Sequence, residues 1–173
     1  IPAQYINRVT GVTKAYTTRV GAGPCPTKLS GEIGNLIRKN GVEFGTTTGR
    51  ERDCGWLDGE ALRYAIGVSG INRLAVTKLD VLDTFEEVKI CTRYIAPGRR
   101  VFMEDVPTEF LSDEDLVPVY ETMPGWGCST REVRKFCNLP SPARDFIGKI
   151  EEVTRTPVSI VSVGPEAEET ILR

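Results

Sequence analysis

The stretch from Asp58 to Asp80, DGEALRYAIGVSGINRLAVTKLD, decides the fold. Asp58 is a residue type that caps helices, Leu62, Ala65 and Ile66 recur on one side, and Gly70 offers a left-handed stop. A helix is therefore predicted between Asp58 and Gly70. Leu74-Ala75-Val76 then makes a short apolar strand that ends at Thr77-Lys78-Leu79-Asp80. A helix leading into such a strand is the unit of an α/β sheet, and ligands of these sheets sit at the carboxyl ends of the strands. Lys78 and Asp80 fall at such an end.

Upstream, Tyr5 to Val20 mixes apolar and β-branched residues and ends in Arg19-Val20-Gly21-Ala22-Gly23-Pro24, a tight loop. A helix follows Thr27, with Ser30 as its cap, Ile33, Leu36 and Ile37 as its apolar stripe, and Gly41 as its stop. Gly45 to Arg52, GTTTGRER, has no apolar periodicity and reads as a loop. Downstream, Val88, Ile90, Thr92 and Tyr94 alternate with Lys89, Cys91 and Arg93, the period-two pattern of a half-buried strand, with Arg99 and Arg100 just past its turn. Pro107 to Pro140 is irregular, with Val117 to Tyr120 as a strand and Ser129 as a helix cap. Ser141 caps and Pro142 opens a further helix whose apolar face is Phe146, Ile147, Ile150 and Val153. Val158 to Val161 forms a last strand, stopping at Ser162-Val163-Gly164-Pro165. The expectation is one α/β domain over residues 1–173: a mixed, mostly parallel sheet, flanking helices and a small irregular or antiparallel portion.

Composition narrows the function. The 173 residues are 40% hydrophobic and 27% charged, the balance of a globular protein. A net charge of -2 with scattered basic residues argues against a nucleic-acid surface. No apolar run approaches the roughly 20 residues a membrane helix needs, and the first residues lack the order of a signal peptide, so a cytoplasmic location is expected. Five cysteines without a C-x-x-C spacing suit neither a disulfide framework nor a zinc site. Histidine is absent, which removes the commonest general base and transition-metal ligand. The start at Ile1-Pro2-Ala3, without methionine, reads as that of a fragment.

Three loops carry nucleotide-like chemistry. In Thr77-Lys78-Leu79-Asp80 the carboxylate can accept from N1–H and the exocyclic amine of guanine, while the lysine stem covers the base; adenine offers no such donor pair. Thr46, Thr47, Thr48, Gly49, Arg50, Glu51 and Arg52 gather three hydroxyls and two guanidinium groups, the parts of a carboxylate or phosphate clamp. Ser162-Val163-Gly164 can present backbone groups to the same base as Asp80. Each loop, taken singly, is also compatible with a solvated turn.

In this order and spacing the loops resemble adenylosuccinate synthase. The match is carried by Thr18 to Pro24 (TRVGAGP), Glu43 to Arg50 (EFGTTTGR), Cys54 to Asp58 (CGWLD), Thr77 to Asp83 (TKLDVLD), Tyr120 to Trp126 (YETMPGW) and Gly164-Pro165. The resemblance implies the C-terminal part of a P-loop-type nucleoside triphosphate hydrolase-like fold and a GTP-dependent ligase. In that family GTP phosphorylates the 6-oxygen of IMP, and L-aspartate displaces the phosphoryl group to give adenylosuccinate. It further implies that Thr46, Thr47, Thr48, Gly49, Arg50, Glu51 and Arg52 close on aspartate, with Arg50 reaching IMP and Arg52 reaching GTP. Lys78, Leu79, Asp80, Ser162, Val163 and Gly164 would form the guanine pocket, and Val20 and Gly21, in the turn running to Gly23, would flank IMP. Mg2+, its ligands, the catalytic aspartate and histidine, and the phosphate loop would lie outside this chain, which would be inactive alone. Homodimers are common in the family. Glu51 and Asp53 stand where basic or neutral residues are expected, giving the clamp less positive charge. Cys25 and Lys28 replace the usual phenylalanine and glutamate, and Val163 replaces a threonine. The reading from another class is a non-catalytic guanine-nucleotide-binding or assembly module.

Overall fold

The computed structural model describes residues 5–21, 23–95 and 116–173. In chain order its elements are β1 (Thr10–Lys14), β2 (Thr17–Arg19), α1 (Glu32–Gly41), β3 (Asp53–Gly55), β4 (Leu57–Asp58), α2 (Gly59–Ser69), β5 (Arg73–Thr77), β6 (Glu87–Ile95), β7 (Val117–Pro124), α3 (Ser141–Thr154), β8 (Val158–Ser162) and β9 (Thr170–Leu172). The α/β class is as expected, but the strands divide among three sheets. The largest runs β1-β5-β8-β9, and the others are the pair β2-β3 and the trio β4-β6-β7.

The predicted helix and strand between Asp58 and Asp80 are both present. Asp58 Oδ1 accepts from the Ala61 N–H at 3.0 Å, and Gly70 takes the left-handed stop at φ 62°. Ile66 is buried and Leu62 half-buried, while Ala65 faces solvent. β5 pairs in parallel with β1 (Lys14 opposite Thr77) and with β8 (Val76 opposite Val161). The carboxyl ends of β1, β5 and β8 therefore open on one edge, bringing together segments about 65 and 85 residues apart in sequence. β9 is antiparallel to β8 and was not anticipated.

Several local expectations are corrected. Gly31, at φ 94°, precedes α1 in place of Ser30, and Val42, at φ 51°, takes the left-handed stop assigned to Gly41. Gly41 is instead a close-approach glycine, because the Tyr16 hydroxyl occupies the space of a Cβ. Only Ile37 of the proposed stripe is buried; Ile33 and Leu36 are exposed. In β6 a register shift between Cys91 and Arg93 turns Cys91 into the core and ends the simple alternation. β7 runs four residues beyond Tyr120, and Ser129 caps no helix; its hydroxyl accepts from the Arg131 N–H at 3.4 Å. Pro140 is the cap of α3, so Ser141 and Pro142 both lie inside its first turn. Phe146, Ile147 and Ile150 are buried there as predicted. Cys54, Cys91, Cys128 and Cys137 are free thiols. Arg99, Arg100 and positions 107–115 lie outside the described residues.

Asp83, nearly buried, ties the turn after β5 to the segment after β7. Its carboxylate accepts from Trp126 Nε1 at 2.7 Å, the Thr130 N–H at 2.8 Å and Thr130 Oγ1 at 2.9 Å. Asp83→Ala would leave three buried donors without an acceptor, and should destabilise the chain by roughly 2–4 kcal/mol. Denaturant unfolding should show a lower midpoint at unchanged slope; an unmoved midpoint would mean the bonds add nothing net.

Candidate functional site

Glu43 stands between α1 and the threonine loop, and its side chain is 0% exposed. Burying a carboxylate costs several kcal/mol unless it is paired and hydrogen-bonded. Four donors meet this requirement. Lys14 Nζ (2.8 Å), Tyr16 Oη (2.5 Å) and Lys78 Nζ (3.0 Å) donate to Oε1, and Arg52 Nη1 donates to Oε2 at 2.7 Å. Burial works to raise the Glu43 carboxyl, but the bonds from Lys14, Tyr16, Lys78 and Arg52 outweigh it and leave it at about 2, below its ordinary 4.5. Burial first, and then Glu43, push the Tyr16 hydroxyl far above its usual range, so it remains a donor.

This arrangement joins two of the three predicted loops. Phe44 bridges to Glu51 and the Arg52 N–H donates to the Glu43 carbonyl at 3.0 Å, closing the stem of the loop. Within it the Gly45 N–H donates to Arg50 O and the Gly49 N–H to Gly45 O, both at 2.8 Å, with Gly49 at φ 64°. Thr46, Thr47, Thr48 and Arg50 are exposed at its rim. Glu51 pairs with Arg38 at 3.6 Å and Asp53 with Lys28 at 3.0 Å, so both acids face cations other than Arg52.

On the other side, Lys78 adopts a left-handed backbone at φ 60°, uncommon for a residue with a Cβ. Its ammonium is held by Glu43 and by the Gly41 carbonyl at 2.6 Å. Leu79 is fully buried, so its backbone alone can meet a ligand. Asp80 lines a cavity of about 410 Å3 with Asn40, Asp83, Thr84, Ser129 and Arg131. Arg131 Nε lies 3.5 Å from Asp80 Oδ2. Burial pushes the Asp80 carboxyl up, opposed by Arg131 and aided by Asp83.

Ser162, Val163 and Gly164 leave the same sheet edge from β8. Ser162 Oγ donates to Gly164 O at 2.7 Å, and the Val163 N–H donates to Glu169 O at 2.9 Å. The Val163 amide is thus already engaged, and its side chain is buried. Val20 and Gly21 lie in an exposed turn, Gly21 at φ 89°, and Ala22 is outside the described residues. The turn borders a cavity of about 490 Å3 lined in part by Lys14, Thr17, Thr18, Arg19 and Asp58. Among the described residues no group of three or more histidines, cysteines and acids could hold a metal ion. Sequence reasoning assigned no role to Glu43 or Asp83, although both stand in matched blocks, and did not single out Lys14, Tyr16 or Arg131. The signal it could have used is one acid, Glu43, set directly before a loop bearing two arginines.

Because the Glu43 carboxyl is depressed in the fold, its contribution is complete above its unfolded value of 4.5 and is lost as pH falls toward about 2. Over that window the parent chain should lose roughly 3 kcal/mol more stability than Glu43→Gln. Urea unfolding of both chains from pH 7 to pH 2 tests this, and parallel curves would remove the ionised carboxylate from the stability of the site.

Comparison with known proteins gives a consistent family. The sequence profile described as adenylosuccinate synthetase matches residues 1–171. The adenylosuccinate synthetase of Chlorobaculum tepidum is 45% identical over 173 residues, all of this chain and 39% of its own length. That of Pelotomaculum thermopropionicum is 50% identical over 167 residues, 96% of this chain and 39% of its own. Among solved structures, fully ligated adenylosuccinate synthetase from Plasmodium falciparum superposes with a TM-score of 0.92 at 37% identity, covering 100% of this chain and 41% of that one. The chain thus spans about two fifths of the length of the relatives it matches, and it belongs to the adenylosuccinate synthetase family.

Proposed function

We propose that this chain supplies the aspartate loop and the guanine pocket of a GTP-dependent ligase that joins L-aspartate to IMP, releasing adenylosuccinate, GDP and phosphate. The observation that carries the reading is the meeting of Arg52 and Lys78 on the two oxygens of Glu43. It sets an anion-binding loop beside a base-reading loop, as a reaction among an amino acid and two nucleotides requires.

In this reading Arg50 and Arg52 grip the aspartate carboxylates, aligning the amine and neutralising charge that would repel a phosphorylated intermediate. The hydroxyls of Thr46, Thr47 and Thr48 and the backbone around Gly49 complete the clamp, while Glu51 stays with Arg38. Arg50 also reaches IMP, whose other flank is the turn of Val20 and Gly21, and Arg52 also reaches GTP. Asp80 accepts from guanine N1–H and the exocyclic amine, and the Lys78 stem covers the base. Leu79, Ser162, Val163 and Gly164 contribute backbone at the sheet edge. Glu43, already surrounded by cations, offers Mg2+ no free oxygen; in this reading magnesium and the general acid and base are supplied by the rest of the protein. Homodimeric assembly and a cytoplasmic location complete the proposal; among the described residues no helix is long and apolar enough to cross a membrane.

Asp80→Asn, in a full-length synthetase carrying this chain, places an amide where guanine needs an acceptor. GTP should lose roughly 10-fold or more relative to XTP, within the 1–3 kcal/mol of a paired base contact. Competition kinetics with the two nucleotides measure the ratio, and an unshifted preference would remove Asp80 as the base reader. Arg50→Leu should raise the KM for aspartate, by about 10-fold or more for a lost charge-assisted pair; an unaltered aspartate dependence would take Arg50 out of the clamp. GTP binding with indifference to IMP and aspartate would instead favour a nucleotide-binding module.

A further inference from the structure

Glu43 heads the EFGTTTGR block without a role assigned to it, yet its carboxyl group touches both loops. Oε2 holds the Arg52 guanidinium at 2.7 Å and Oε1 holds the Lys78 ammonium at 3.0 Å. Two oxygens on one carbon move together, so a rotation that follows one cation displaces the acceptor of the other. Lys14 and Tyr16 also grip Oε1, from the end of β1, which limits the group to small rotations. Arg52 and Lys78 are less enclosed, with 29% and 37% of their side chains exposed, so a ligand can reach both.

Resting on the reading in which Arg52 serves aspartate and Lys78 serves guanine, we infer that Glu43 is a positioning residue that couples the two sites. Guanine over the Lys78 stem fixes the ammonium, the ammonium selects among the small rotations left to the Glu43 carboxylate, and the second oxygen then holds Arg52 where aspartate meets it. The ordering of Arg52 precedes the arrival of aspartate, so occupancy of the guanine pocket tightens aspartate binding, and the reverse follows by reciprocity.

The test uses a full-length synthetase carrying this chain, saturated with IMP. Aspartate affinity is measured by titration with and without a non-hydrolysable GTP analogue. The parent protein should bind aspartate about fivefold or more tightly with the analogue present. In Glu43→Gln that ratio should fall close to one, including where each separate affinity stays measurable. Should Glu43→Gln not fold, Lys78→Met cuts the guanine-side arm alone, and at saturating analogue it should lose the same ratio although Lys78 touches no aspartate. A ratio near one in the parent, or a parental ratio in the variants, overturns the coupling. Failure of Asp80→Asn to shift base preference would instead remove the guanine pocket; a normal shift with unchanged coupling removes the inference alone.

Discussion

A carboxylate with no access to water must be surrounded by donors, and in this protein that requirement settles where four side chains go. Glu43 collects Lys14, Tyr16, Arg52 and Lys78 from the end of β1, the stem of the threonine loop and the turn after β5. Without those partners its desolvation would cost several kcal/mol. With them the carboxyl stays ionised far below neutral pH, and three pieces of chain share one anchor. Gly41 belongs to the same arrangement, because a Cβ there would occupy the space of the Tyr16 hydroxyl.

The sheet makes that gathering possible. Parallel pairing of β1, β5 and β8 aligns their carboxyl ends, so segments distant in sequence open on one edge. The Ala15 N–H donates to Thr77 O at 2.9 Å, continuing the β1-β5 ladder to the point where Tyr16 and Lys78 diverge toward Glu43. Asp83 performs the second alignment, drawing Trp126 and Thr130 toward the turn that holds Asp80. The blocks TKLDVLD and YETMPGW therefore act as one structural unit, although 36 residues separate Asp83 from Tyr120.

What the sequence made legible was local. Asp58 and Gly70 bound α2 as expected because a cap and a left-handed stop act within a few residues of themselves, and the GTTTGRER loop declared itself by its lack of apolar period. The rest depended on distant contacts. Gly41 imitates a helix stop while serving Tyr16, 25 residues away, and Val42 takes the strained conformation instead. Cys91 enters the core through a register shift set by β7. Glu43 sits between Val42 and Phe44 with no patterned neighbour, and its cations come from 29 residues before, 9 after and 35 after. No window of sequence holds all of them.

Charge balance at the site follows from the same geometry. The chain as a whole is acidic, at -2, yet around Glu43 three cations face one carboxylate, leaving two positive charges in excess. Glu51 and Asp53 would erode that excess if they pointed inward. Instead Arg38, on α1, draws Glu51 outward and Lys28 engages Asp53. The lower positive charge that the family resemblance implies for the threonine loop is thus offset by which cation each acid faces. At separations near 3 Å partner identity matters more than a count along the chain, since exposed charges beyond a Debye length are largely screened.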